Sequence, residues 1–515
     1  MEAFLNRPSF DDSGEIFFSS AATSGKIGRE VDAERVRRIA RGLYTRNLED
    51  ALEAVTRRNW SAIAGGLFGG AVLVDRSAFD AAPAEDGSIF LDVGARLRTA
   101  RTTRLPGLTL SVRPGPGPVE GDAAFMGSMY LSSRPRAFLD NLRPTRATKR
   151  RVRPTLTRPE LEEALERLLA TQGDDALNRL RDGARQIAPA LQADEELDGL
   201  DELIGTLLGT RETELVSEGG RARKAGTPFD PARVELFGLL QAELLSAAQP
   251  VRSGRGDSGS IFSFFEVYFS NFIEGTEFLL EEAEEIVFGG RIPPNRPKDA
   301  HDILGTFEVV NDPSRRARSP GTADALLSGL EEWHRVMLKA RPEVRPGRFK
   351  EKPNRAGSTV FVAPDLVRGT LRRGFEFLRA LPAGFPRAVF AMFLVSEVHP
   401  FDDGNGRAGR IAMNAELTSA GEQRVIIPTV YCNNYLQGLR ALSLSKNPKP
   451  LVKVIDFAQR YSRAIPWDSL SGATETLDGT NAFMDATEAE DEGIRLRMPS
   501  EIPSEGEADP RPGPD

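Results

Sequence analysis

Residues 386–398, from Pro386 through Val389, Phe390, Met392, Phe393, Leu394 and Val395 to Val398, are apolar at nearly every position and stop at His399-Pro400. A run with no polar face reads as a helix buried in a core rather than one lying on its surface. The residue before a proline is pushed out of helical geometry, which ends that helix at His399. A second helix is expected from near Arg407 through Ile411-Ala412-Met413-Asn414-Ala415-Glu416-Leu417. Gly404-Asn405-Gly406 then lies at a helix N-terminus. Glycines there let a ligand approach the main chain, and unpaired N–H groups point at it. The chain must therefore fold into a corner of two core helices with an anion site at the bend.

The side chains at that corner have matching chemistry. His399 titrates near neutral pH, so its neutral form can take a proton from a hydroxyl. Asp403 is a hard oxygen ligand of the kind Mg²⁺ uses together with phosphate oxygens. Arg407 and Arg410 are spaced i, i+3 on one helix face, where both could pair with phosphates. Phe401 is expected to point inward and fix the loop.

The segment His399-Pro400-Phe401-Asp402-Asp403-Gly404-Asn405-Gly406-Arg407-Ala408-Gly409-Arg410 matches the pattern H-x-F-x-[D/E]-G-N-G-R-x-x-R at every position, and so resembles the Fic family of protein-modifying nucleotidyltransferases. The resemblance implies a mostly helical Fic fold and transfer of AMP from ATP, with Mg²⁺, to a Ser, Thr or Tyr hydroxyl of a target protein. It carries over His399 as the base and Asp403 as the metal ligand. Gly404, Asn405 and Gly406 become phosphate binders, and Arg407 and Arg410 phosphate clamps. Competing readings are removal of AMP, transfer of another phosphate-containing group, or a DNA-binding regulator whose Fic domain only senses nucleotide.

Far upstream, Ser270-Asn271-Phe272-Ile273-Glu274-Gly275 matches S/T-x-x-x-E-G/N after an aromatic run, Phe262 to Phe269. It looks like the inhibitory helix of many Fic proteins, expected near 263–275. In that family the glutamate, here Glu274, pairs with the second motif arginine, here Arg410, and blocks seating of the γ-phosphate. Ser270 and Gly275 complete the motif. Between the two motifs, Gly357 followed by Ser358, Thr359, Val360 and Phe361 resembles the family's target-positioning flap, a hairpin able to accept a peptide as an extra strand. Asn434 and Tyr435 fall where the family has adenine-pocket residues.

At 515 residues the chain is too long for one ordinary domain. The expected class is multidomain and mainly α: a helical Fic fold with a small β-hairpin flap, preceded by an α+β winged-helix-like or AbiEi-like region. The boundaries read as a winged-helix-like domain over 1–75, an AbiEi-like α+β domain over 76–156, a helical linker region over 157–225 and the Fic domain over 226–470. Residues 471–515 carry twelve acids against three arginines and are expected to be a disordered acidic tail. Thr157-Arg158-Pro159-Glu160 reads as a capping box opening a helix. A single cysteine, Cys432, excludes an intramolecular disulfide and suits a reducing cytoplasm. No signal-peptide order opens the chain, and the longest apolar run, 61–74, is too short to span a membrane.

Residues 10–150 resemble AbiEi-type antitoxins and related bacterial regulators, through Gly42-Leu43-Tyr44 after a run of arginines and through Tyr130-Leu131-Ser132-Ser133. The resemblance implies a winged helix whose Arg35, Arg37, Arg38 and Arg41 could contact DNA phosphates. Residues 134–158 hold nine Arg or Lys against one acid. His301 and His334 lack partners at metal-ligand spacing, so structural roles are expected for both.

Overall fold

The chain folds into two units, 1–224 and 225–515. The computed structural model describes residues 7–145, 152–246, 251–254, 259–357 and 359–501.

In the first unit β1 (Ile16–Phe18), β2 (Arg37–Ala40) and β3 (Leu43–Thr45) form an antiparallel sheet of order β1-β3-β2, with helix α1 (Ser24–Asp32) between β1 and β2. Three of the four arginines read as DNA contacts have partners in this region, Arg38 through the Ala40 carbonyl at 3.4 Å. Arg35 pairs with Glu30 at 2.7 Å, and Arg37 donates to the carbonyls of Leu48 and Asp50. A mixed sheet follows, from β4 (Val72–Leu73), β5 (Ser88–Asp92), β6 (Arg101–Leu105), β7 (Leu108–Arg113), β8 (Ala123–Phe125) and β9 (Met129–Leu131), in the order β6-β7-β5-β4-β9-β8. Along β7, Leu108, Leu110 and Val112 are buried and alternate with half-buried Thr109, Ser111 and Arg113, the period expected of a sheet with one packed face.

Helix α2 (Arg134–Leu142) opens the segment read as basic, but Arg136 is fully buried. It pairs with Asp92, Asp122 and Asp140 at 2.7, 2.5 and 3.3 Å, because a guanidinium taken out of water needs carboxylates around it. The capping box forms at Thr157 and Glu160 and starts α3 (Arg158–Gln172). With α4 (Asp174–Leu191) and α5 (Asp194–Leu207), α3 shares one core with Phe138 and Leu139 of α2. The segment expected to be a helical linker region, 157–225, is helical over 158–207. Leu161, Leu165, Leu177, Leu180, Leu200 and Leu203 give it a packed interior.

The second unit is helical. α6 (Pro231–Ser246), α7 (Gly259–Ile273), α8 (Pro297–Asn311) and α9 (Ala323–Met337) precede a two-residue-strand hairpin, β10 (Arg355–Ala356) with β11 (Thr359–Val360). α10 (Val367–Ala380), α11 (Phe385–Val398), α12 (Asn405–Ser419) and α13 (Cys432–Ser445) follow. α11 is the expected core helix, with Val389, Phe390, Phe393 and Val395 fully buried. α12 lies against it, and Gly409 makes this possible. A Cβ there would sit 2.8 Å from Ser396 Oγ and 3.1 Å from the Met392 carbonyl.

The acidic C-terminal region departs from the expectation of disorder. Residues 470–501 include α14 (Leu470–Gly479) and α15 (Ala486–Asp491). Ala473, Leu477, Ala482, Ala486 and Ala489 are buried, and Phe483 stacks on Phe269 with centroids 5.5 Å apart. The apolar residues are small and spaced at helical intervals, so the composition is acidic while the inner face is not. The tail reading for 502–515 lies outside the described residues. Among the described residues, no helix is long and apolar enough to cross a membrane.

Candidate active site

His399 caps α11 with left-handed backbone angles, φ 53° and ψ 59°, which turn the chain sharply into the loop 400–404. Its Nδ1 lies 3.3 Å from the Ser396 carbonyl. A carbonyl only accepts, so this contact puts the imidazole proton on Nδ1 and leaves the lone pair on Nε2. The ring stacks flat on Phe361, which follows β11, with centroids 3.7 Å apart and planes at 4°. Burial, then the nearby Lys350 cation, push the imidazole down to about 4, so it is neutral at neutral pH.

The loop is held from within. Asn405 spans it, accepting from Phe401 N–H at 2.8 Å and donating to the Phe401 carbonyl at 2.9 Å. Its buried amide is therefore used on the loop itself, and what it can offer an anion is its main-chain N–H. Gly404, in a left-handed conformation, caps α12, and its carbonyl accepts from Ala408 N–H at 2.9 Å. The N–H groups of residues 405–407 open the helix and mark an anion seat. His334 supports the loop from outside. It stacks on Phe401 at 3.9 Å, accepts from Gly347 N–H at Nδ1, and its Nε2 lies 3.1 Å from the Asp403 carbonyl. Burial holds it at about 4, and its role is structural.

The Glu274 carboxylate lies beside Gly406 at the start of α12. A Cβ on Gly406 would come within 2.1 Å of Glu274 Oε1, and the same oxygen accepts from Arg410 at 2.7 Å. Arg410 also donates to the hydroxyl and carbonyl of Ser270, both at 2.9 Å. Ser270 and Glu274 are thus brought to Arg410 across 140 and 136 positions of sequence. Gly275, at φ +80°, ends the turn directly after the glutamate, a conformation that favours glycine.

The structure separates the two motif arginines. Arg410 lines a cavity of about 470 Å³ together with His399, Gly406, Glu274, Phe361 and Tyr435. Arg407 is not among the lining residues. It donates to Asp302 at 3.1 Å and to Asn271 at 3.2 Å, and Asp302 is shared with Arg341 at 2.8 Å. Asp403 lies 3.6 Å from Arg407, accepts from Gly404 N–H at 2.6 Å, and its side chain is 45% exposed. Among the described residues, no group of three or more His, Cys, Asp or Glu side chains could hold a metal by itself. A lone, half-exposed carboxylate beside an anion seat fits Mg²⁺ that takes its other ligands from phosphates and water.

Thr359 and Phe361 face the cavity, and Val360 between them points outward, 62% exposed. Ser358 lies outside the described residues. Tyr435 is buried in the cavity wall, whereas its neighbour Asn434 is exposed and absent from the lining.

Residues 326–417 match the family model described as Fic/DOC family. The second unit contains a Fic domain. Similar chains include the protein adenylyltransferase fic-1 of Caenorhabditis elegans, 24% identical over 197 residues, covering 37% of this chain and 39% of that one. The protein adenylyltransferase Fic of Drosophila yakuba is 27% identical over 202 residues, with the same coverage, 37% and 39%. The match therefore spans well under half of these relatives. A solved Fic domain-containing signaling protein from Bacteroides thetaiotaomicron VPI-5482 superposes with a TM-score of 0.36 at 19% identity, covering 47% of this chain and 97% of that one. Asp302 and Asn271 around Arg407, and Lys350 beside His399, were not singled out from the sequence. Only Asn271 carried a signal, its place inside the inhibitory motif.

Proposed function

We propose that this protein is a protein adenylyltransferase, moving AMP from ATP to a Ser, Thr or Tyr hydroxyl of a target protein. The observation that carries the reading is the neutral His399, whose Nε2 is left to accept a proton beside the cavity that Gly406 and Arg410 also line. A target hydroxyl held by the flap hands its proton to Nε2 as its oxygen bonds the α-phosphorus. The bond from that phosphorus to the bridging oxygen breaks, and pyrophosphate leaves. The N–H groups at the start of α12 and the Arg410 guanidinium stabilise charge on the phosphates. Asp403 would hold Mg²⁺, which supplies further charge neutralisation when bound.

In this reading Glu274 is inhibitory, because its carboxylate fills the anion seat and engages Arg410. The flap edge presents main chain to the target, and Tyr435 contributes to the nucleotide wall. A single cysteine supports assigning the reaction to the cytoplasm. DNA contact through residues 35–41 would fall first to Arg41, since Arg35, Arg37 and Arg38 each have a partner within the chain.

Incubation with α-labelled ATP tests the proposal, comparing the native chain, Glu274→Gly and the same variant with His399→Ala. Label that appears with Glu274→Gly and disappears with His399→Ala supports it. No label in any chain, on itself or on added cell protein, rejects it. Faster loss of preloaded AMP from the native chain than from Glu274→Gly would favour the reverse reaction.

A further inference from the structure

Lys350 is buried beside the catalytic corner, 3% exposed, and the mechanism above does not use it. Its main-chain N–H donates to the Pro400 carbonyl at 2.8 Å. Its Nζ donates to Asn354 Oδ1 at 2.7 Å and lies 3.5 Å from the Val398 carbonyl. Val398 and Pro400 are the two neighbours of His399. One residue therefore grips the main chain on both sides of the left-handed histidine. Asn354 extends the grip by donating to the Phe401 carbonyl at 2.9 Å. A non-glycine residue in left-handed geometry persists only where its surroundings over-determine it, and these bonds do so.

The chemistry of Lys350 argues against a filler. Among the described residues, no carboxylate forms an ion pair with its ammonium. A buried cation without a partner is costly, and an apolar residue of similar length would fill the space at less cost. Burial, then the Arg233 cation, lower Lys350 to about 7, against a pull upward from Asp402.

We propose that Lys350, seated by Asn354, is the positioning residue of the base, holding the main chain on either side of His399 in the geometry that presents Nε2 to the cavity. Its positive charge also disfavours the imidazolium, acting against Glu274 and Asp403, which favour it. The proposal rests on the reading of His399 as the base.

The test uses the full chain carrying Glu274→Gly, compared with the same chain carrying Lys350→Met or Lys350→Arg. Three readouts are taken: label from α-labelled ATP, calorimetric affinity for the α,β-methylene analogue of ATP, and NMR titration of the imidazoles. With three histidines in the chain, His399→Ala assigns the signal. Lys350→Met is expected to slow labelling by about 10- to 100-fold, the scale of a misplaced reacting group, with analogue affinity within roughly 2-fold, since no binding interaction is removed. The His399 midpoint should move up, and Lys350→Arg should recover most of the rate. Full labelling by Lys350→Met, a parallel loss of analogue affinity, or an unmoved His399 midpoint would each overturn the proposal. If Lys350→Met does not fold, Asn354→Ala takes its place, with a slowed rate expected and an unchanged rate overturning it. If the parent labels nothing, the adenylyltransferase reading falls. The His399 titration needs no turnover and still decides whether Lys350 acts on the imidazole.

Discussion

Glu274 and Gly406 are in contact across 132 positions of sequence: the carboxylate lies where a side chain at 406 would begin, and its Oε1 bonds Arg410 at 2.7 Å. The inhibitory-type helix thus presents an anion to a helix N-terminus built to receive one. In the proposed reading, a phosphate would displace that anion before it could sit there.

Removing the anion should release the site. Glu274→Gly is expected to raise self-labelling by at least about 10-fold, the scale set by one charge-assisted hydrogen bond of about 1.5–3 kcal/mol. Gel autoradiography over a time course reads it, and an unchanged rate would show that Glu274 is not the brake.

Gly406→Ala separates unlocking from activation. The new methyl would collide with Glu274 Oε1 and so break the pair, but it would also fill the seat that a phosphate needs. The double variant with Glu274→Gly is therefore expected to label no faster than the native chain and to bind ATP more weakly by calorimetry. Labelling as fast as Glu274→Gly alone would mean that nothing approaches the main chain at Gly406.

Asp302 balances the buried guanidinium of Arg407 and the half-buried one of Arg341. Asp302→Ala leaves Arg407 without its closest carboxylate, and the second unit should lose about 3–5 kcal/mol of stability, the cost of breaking a buried pair. Denaturant unfolding followed by tryptophan fluorescence tests this, since Trp333 lies on α9 in the same unit. A loss under ~1 kcal/mol, typical of surface pairs, would mean that Asp403 alone suffices.

On the acid side the rate should fall with a midpoint about 4, where His399 gains its proton. Stability has the same sign. His399 and His334 both bind protons more weakly folded than unfolded, each lowered to about 4, so stability drops as pH falls from about 6.5 towards 4. A rate midpoint near 6.5 would indicate an imidazole open to water, without the Phe361 stack.

The corner of α11 and α12 was legible because its signals are local. An unbroken apolar run, a His-Pro stop and a Gly-Asn-Gly start each act within a few residues. Thr157 and Glu160 were legible for the same reason. Asp302 was not, because its partner Arg407 is 105 positions away and nothing near it in sequence marks it. The burial of Arg136 was not legible, since a charge count along 134–158 ignores which carboxylates a sheet brings alongside. The helices of 470–501 were hidden by averaging composition over both faces. Asn405 was assigned to phosphate by its motif, while its amide is used to close the loop it sits in.

The flat stack of Phe361 on His399 joins the surface that would greet a target to the group that would activate it. Altered preference for targets, whether by drift or by design, has a cheap route and an expensive one. Changes at Val360, which faces outward, can retune recognition while the base keeps its setting. Changes at Phe361 cannot, because any new residue there rewrites the environment of the imidazole together with the contact to the target.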